Sequence, residues 1–263
     1  MPTSIVNQIA IAYTDIGNGF PLLLIHGFPL SRKTWEPQVI YLSMWMRVIA
    51  PDLRGHGETQ APLIPFRIND MALDMLSLFD ALGIEKAIVC GLSMGGYVSL
   101  ALYKLAPKRV KALILANTKA GTDSLERRAG RYAMIERIQK EGMEALAEEQ
   151  LPTFFYAHDT SAELNSQIRA IIRANSCKGA MECLRAMAIR PSSINLLPNI
   201  QVPTLIIASP EDQAIPVSES YSMHREIPRA KIVLINNAGH LVNLERASEF
   251  SAAVLDFVQF VLR

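Results

Sequence analysis

Ser93, Asp212 and His240 lie far apart in the chain, yet each closely follows a short apolar run: AIVCG (87–91), TLIIA (204–208) and KIVLI (231–235). Their types suit nucleophilic catalysis. A serine hydroxyl is a weak nucleophile until a base takes its proton; a neutral imidazole can be that base, and a carboxylate can fix its tautomer and stabilise the imidazolium that forms. The serine sits in VCGLSMGGYV (89–98) between Gly91 and Gly95. A strand turning abruptly into a helix crowds its own backbone there, and glycine removes the clashing Cβ. A fourth run, PLLLI (21–25), leads into HGFPL. The amides of Phe28 in that loop and of Met94 at a helix start would offer two N–H donors to the oxyanion formed when a carbonyl is attacked. The G-x-S-x-G motif alone is short enough to arise by chance. It gains weight from its company, because in an open parallel sheet ligands bind outside the carboxyl ends of the strands, and four such ends deliver these residues.

The elements that must position them can be read from periodicity. With RVIAP (47–51) and ALILA (112–116), the apolar runs predict strands of a parallel sheet covered by helices on both faces. Alternation in VNQIAIAYTD predicts a half-exposed antiparallel edge strand. Helices are expected over NDMALDMLSLFDALG (69–83), with Gly83 as C-cap, and over SMGGYVSLALYKLAP (93–107), stopped by Pro107. The fold class is α/β. Segment 117–203 is too long for a structureless loop and carries helical stretches at 125–140, 143–151, 162–176 and 179–189. We read residues 120–198 as a helical cap inserted into a core domain of 1–119 and 199–263, with Pro191, Pro198 and Pro203 marking the return.

Several residues compete for these roles. Glu211 is a neighbouring rival to Asp212. Among the other histidines, His158 and His224 read as solvated and His26 as a structural hydrogen-bonding group. His56 in RGHG reads as ordering a loop in which Asp52, Arg54 and His56 brace one another. In the cap, Phe154, Phe155 and Met134 are candidates to line an acyl pocket, with packing in the core as the alternative. Residues 119–202 hold eleven Lys+Arg against ten Asp+Glu, which shows no basic bias. Many of these charges recur at helical spacing beside opposite charges and read as solvated helix faces.

The chain has 263 residues, enough for one large domain or one domain with an insertion, and a formal net charge of +1. That balance gives no electrostatic reason to expect nucleic acid or an anionic membrane as partner, so a small neutral substrate is expected. Three cysteines without a CxxC pair argue against a disulfide scaffold and a zinc site. No metal or cofactor is expected. The start lacks a cationic region followed by an apolar one, and no apolar run reaches the ~18 residues of a membrane span, so a soluble cytoplasmic protein is expected. Oligomeric state is left open.

The segments HGFPLSRKTW, PDLRGHGET, GLSMGGY, SPEDQAIP and AGHLVNLE, in that order, resemble the α/β-hydrolase superfamily over the whole chain outside the cap. The order Ser, Asp, His matches as well. Within the superfamily the chain looks most like small cofactor-free carboxylesterases, the enol-lactonase-like branch and the related perhydrolases, whose oxyanion loop often carries an aromatic residue and then proline, as Phe28-Pro29 does. The resemblance implies a mostly parallel twisted sheet flanked by helices, with Ser93 as nucleophile, Asp212 as acid, His240 as base and the Phe28 and Met94 amides as oxyanion donors. Serine at 93 argues against dehalogenases and epoxide hydrolases, which carry aspartate there. The expected activity is hydrolysis of small to medium neutral carboxylic esters through an acyl-enzyme. The alternatives are an enol-lactonase or perhydrolase of the same fold, or a non-catalytic ligand receptor on the same scaffold.

Overall fold

The computed structural model describes residues 2–61, 64–156 and 161–263, so His158 lies outside the described residues. Eight strands form one sheet: β1 (Thr3–Val6), β2 (Ile9–Ile16), β3 (Pro21–Ile25), β4 (Arg47–Pro51), β5 (Ala87–Leu92), β6 (Val110–Ala116), β7 (Thr204–Ala208) and β8 (Ala230–Leu234). Their spatial order is β1-β2-β4-β3-β5-β6-β7-β8, antiparallel at β1/β2 and β2/β4 and parallel from β4 onward. Every residue of β5 and β7 is buried, so both faces of the sheet centre are covered, as the continuous apolar runs require.

Among the described residues ten α-helices accompany the sheet: α1 (Glu36–Leu42), α2 (Ile68–Ala81), α3 (Met94–Leu105), α4 (Leu125–Glu141), α5 (Met143–Phe154), α6 (Ala162–Arg173), α7 (Cys177–Ala188), α8 (Val217–Glu226), α9 (Val242–Glu245) and α10 (Ala247–Leu262). Pairs α2 with α3 and α1 with α10 pack together against the sheet. Gly83 takes the left-handed conformation (φ +65°) that ends α2, and α3 stops two residues before Pro107.

Two expectations about the strands change. VNQIAIAYTD is not one edge strand but a hairpin, β1 and β2, turning on Asn7 and Gln8 with φ of 47° and 64°. A two-residue turn with both central φ positive matches the twist of its strands. In β8, Lys231 and Leu234 are exposed and the rest only half-buried, because the strand is the other edge of the sheet.

Helices α4 to α7 occupy the interval between β6 and β7 and pack on one another, α4 with α5 and α7, α5 with α6. They lie over the carboxyl ends of the strands. Asn175 Nδ2 donates to the Pro29 carbonyl (2.6 Å) while its Oδ1 accepts from the Gly57 amide (2.7 Å). The Leu241 amide donates to the Phe154 carbonyl at 3.1 Å.

Candidate active site

The order of strands places the chain reversal beside β3, which pairs with β4 on one side and β5 on the other. Such a switch point opens a crevice at the carboxyl ends. Register then aligns the loops: Ile25 pairs with Gly91, Leu92 with Ala116 and Ala116 with Ile207. Two residues beyond the first pair stand Gly27 and Ser93, and one beyond the second stand Ser93 and Asn117. A Cβ built on Gly27 would lie 3.2 Å from Ser93 Cβ and 3.8 Å from Ser93 Oγ, so the HGF loop sits directly beside the serine.

Ser93 is half-buried and has φ 55° and ψ −116°, a sparsely populated conformation for a residue with a Cβ, of the kind that costs roughly 1–3 kcal/mol. Its neighbours hold it there. The Ser93 amide donates to the Ala116 carbonyl (2.9 Å), and its own carbonyl accepts from the Gly96 amide (2.9 Å) and the Thr118 hydroxyl (2.6 Å). The flanking glycines are required by close approach: a Cβ on Gly91 would stand 2.3 Å from the Gly95 carbonyl carbon, and one on Gly95 2.1 Å from the Ile25 oxygen. Met94 begins α3, where the first amides have no partner within the helix.

The direction of the Phe28 amide is fixed by its neighbour in the same peptide plane. The Gly27 carbonyl accepts from the Leu30 amide (3.0 Å) and lies 2.8 Å from His26 Nδ1. His26 Nε2 accepts from the Leu53 amide at 2.9 Å, so the ring proton sits on Nδ1 and donates to Gly27. Burial holds the His26 pKa down at about 4, which keeps this neutral tautomer in place. In a trans peptide the N–H opposes the C=O, so pinning the Gly27 oxygen aims the Phe28 N–H the opposite way.

Asp212 and His240 meet. Asp212 Oδ2 lies 2.7 Å from His240 Nδ1, and Oδ1 accepts from the Ala214 (2.7 Å) and Ile215 (3.0 Å) amides; both side chains are buried. The rival Glu211 takes no part in this pair, and its Oε2 is buried without a hydrogen-bond partner. The Phe154 ring stacks on the His240 ring at 5.7 Å, 23° from coplanar. Phe154, Phe155 and Met134 are all at most 5% exposed and belong to the continuous apolar core. Met94, also buried, has its Sδ 3.1 Å from Cys183 Sγ on α7.

Two residues that sequence reasoning missed hold the histidine loop. Asn117, buried with φ 39°, uses Oδ1 to accept from the Ser209 amide (2.9 Å) and Nδ2 to donate to the Gly239 (3.1 Å) and His240 (3.0 Å) carbonyls. Glu245 accepts from the Gly239 amide through Oε2 (2.7 Å) and from the Tyr156 amide through Oε1 (2.8 Å). Gly239 admits no side chain, since a Cβ there would lie 2.5 Å from the Phe155 carbonyl carbon. The available signal was an asparagine directly after an apolar strand, a type that tolerates the left-handed region.

Other polar groups are arranged differently from expectation. Arg54 pairs with Asp74 (2.6 Å) and Asp52 with Arg32, so Asp52, Arg54 and His56 do not form one braced set, although His56 Nδ1 lies 3.1 Å from the Arg54 carbonyl. His224 is half-buried on α8. Not every cap charge is solvated. Lys119, Arg131 and Arg190 converge on Asp123, whose side chain is fully buried. Burial would raise the Asp123 carboxyl, but Arg131 and then Arg190 outweigh it and hold it at about 2. Arg131, the cation considered for an anionic substrate, has its Nε 2.5 Å from Asp123.

Among the described residues no helix is long and apolar enough to cross a membrane. The family model for the alpha/beta hydrolase fold matches residues 21–247. A thermophilic esterase from Thermogutta terrifontis, solved with malate bound, superposes with TM-score 0.94 at 37% identity, over 96% of this chain and 94% of that one. The enol-lactonase from Burkholderia xenovorans LB400 gives TM-score 0.92 at 32% identity, over 98% and 100% of the two chains. In sequence, 3-oxoadipate enol-lactonase 2 of Acinetobacter baylyi is 27% identical over 259 residues, 96% of this chain and 94% of that protein. With the serine turn, the paired strand ends and a family match running from β3 to the last helix, the chain belongs to the alpha/beta hydrolase fold family.

Proposed function

We propose that the protein is a serine hydrolase of small to medium neutral carboxylic esters. The observation that carries this reading is the buried Asp212–His240 contact of 2.7 Å on the same rim as Ser93. Nδ1–H of His240 donates to Asp212, which leaves Nε2 to take the Ser93 proton as Oγ attacks the ester carbonyl carbon. The amides of Phe28 and Met94 receive the negative oxygen. The imidazolium then protonates the departing alcohol, and water, deprotonated by the same nitrogen, releases the acid and restores Ser93. Losing one oxyanion donor costs ~2.7–4 kcal/mol in such sites. In this reading residues 120–198 are a cap over the ester site, seated on the 1–119 and 199–263 core.

One charge pairing supports the neutral substrate. A carboxylate-bearing lactone needs a cation free to face it, since burying its charge unpaired is costly, and the Arg131 Nε is already committed to Asp123. The similar proteins include an esterase and an enol-lactonase, and the Ser93 route proposed here serves either ester type. The test is a phosphonate probe together with hydrolysis of an activated aryl ester. Labelling confined to Ser93, and loss of both labelling and turnover in Ser93→Ala down to a floor of ~10³–10⁴ over water, is expected. Undiminished turnover in Ser93→Ala would refute the mechanism.

A further inference from the structure

A cavity of about 30 Å³ lies behind the helix that starts after Ser93, bordered by Asn69, Tyr97, Lys104, Lys119, Arg190 and Ser193. Neither Ser93 nor His240 lines it. The space exceeds what a single water occupies, so it admits a few waters or one small oxyanion.

The charge around it is unbalanced. The side chains of Lys119, Arg131 and Arg190 are 9%, 12% and 4% exposed, and among the described residues the only carboxylate within ion-pair distance of any of them is Asp123. Exposed Arg127 adds a fourth cation at 3.9 Å from the same carboxylate. Buried Lys119 and Arg190, with half-buried Arg131, therefore exceed their anion by two charges, an arrangement that is costly unless something compensates it. Burial, reinforced by Arg190 and Arg127 against the pull of Asp123, holds the Lys119 ammonium below the usual lysine range.

The two buried cations on the cavity wall are preset. The Arg190 guanidinium stacks 4.1 Å over the Tyr97 ring, with Nη1 on the Met187 carbonyl (2.8 Å) and Nη2 on the Gly121 carbonyl (2.9 Å), so Nε takes no part in these bonds. Lys119 Nζ donates to the Thr122 carbonyl at 3.1 Å and lies 3.4 Å from Asp123, which occupies two of its three N–H groups. Lys104 is exposed and adds positive potential at the edge of the cavity.

We infer that this cavity is a binding site for a small singly charged oxyanion, held by Lys119 and Arg190, with Asn69 and Ser193 as neutral donors. The site is separate from the ester chemistry. It joins the two passages of chain that lead into and out of α4 to α7, at 119–120 and 190–193, to the flank of α3. Occupancy therefore fastens the root of the cap. The ion can be a free inorganic species or a short carboxylate such as the acid an esterase releases; the chemistry is shared.

The experiment is thermal denaturation of the whole protein in sodium nitrate, formate or acetate, exchanged against sodium gluconate at constant ionic strength. Gluconate is too large for the cavity. A saturable rise in Tm of about 2–4 °C with at least one small anion is expected. Response to nitrate alone assigns the inorganic source, and response to formate or acetate the carboxylate source. The rise should vanish in Lys119→Met and, independently, in Ser193→Leu, which fills the space without removing a charge. No rise in the wild type, an equal rise in gluconate, or a rise retained in whichever variants fold would overturn the site.

Discussion

The side-chain amide of Asn117 donates to the carbonyl of His240 at 3.0 Å, so a residue at the end of β6 sets the position of the loop that carries the imidazole. Through Ser209 the same side chain grips the loop that leads to Asp212. Asn117→Asp keeps the size and the left-handed tolerance but points an acceptor at two carbonyls. We expect kcat/KM for an activated ester to fall about a hundredfold, mostly in kcat, because a displacement of about 1 Å is enough for that loss. Equal kcat with an unchanged circular dichroism spectrum would remove Asn117 from the positioning of His240.

The choice of acid is directly testable. Asp212→Asn leaves the shape intact but favours the wrong imidazole tautomer, and a drop in kcat of roughly 10⁴-fold is expected. Glu211→Gln changes a carboxylate that takes no part in the His240 contact and should stay within about twofold of wild type. Steady-state kinetics on the two variants decide; the reverse ranking would exchange the roles.

Acid sensitivity should come from two histidines that the chemistry does not use. The His26 and His56 rings stand 5.2 Å apart and fully buried. Burial holds their pKa values at about 4 and about 3, with mutual repulsion adding to the shift at His56. Below the exposed-histidine value of ~6.5 the unfolded chain takes up protons that the folded state refuses. Stability is therefore fully present above that value and declines as pH falls toward 4, by at most about 1.4 kcal/mol per pH unit for each ring. Urea denaturation between pH 6.5 and 5 should show this slope, reduced by about half in His56→Gln. A slope that is the same in the variant would locate the proton uptake elsewhere.

Substrate charge gives the fourth prediction. Neutral aryl esters with short to medium acyl chains should exceed any carboxylate-bearing lactone in kcat/KM by at least about tenfold, or ~1.4 kcal/mol of transition-state discrimination. A substrate panel varying acyl length, charge and ring size measures it. Preference for the anionic lactone, lost in Arg131→Met, would make the enol-lactonase reading the correct one.

The inner strands were legible because burial on both faces writes an unbroken apolar run, and β3, β4 and β7 match theirs residue for residue. The hairpin at Asn7-Gln8 was not, since its turn contains no glycine and apolar alternation continues on both sides of it. Nor does β8 differ in composition from inner strands; which strand lies at an edge is decided by chain topology. Ser93, Asp212 and His240 could be picked out as candidates because each chemical type stands just past a strand. Asn117 was not visible as a clamp, because its partners lie 92 to 123 residues away. Helical spacing likewise could not show that Lys119, Arg131 and Arg190 share one carboxylate, for that pairing depends on where the chain returns to the core.

Gly239 touches the main chain of Phe155 and Tyr156, and the Glu245 carboxylate accepts from both segments. The end of α5 and the histidine loop are thus a single interlocked piece, although about eighty residues separate them in the chain. Recombination between relatives that exchanged only the helices would set a foreign backbone against an unchanged loop and displace the imidazole. A transplant of the helices should therefore carry 239–245 along with them if the imidazole is to keep its position, so the two stretches form one mechanical unit.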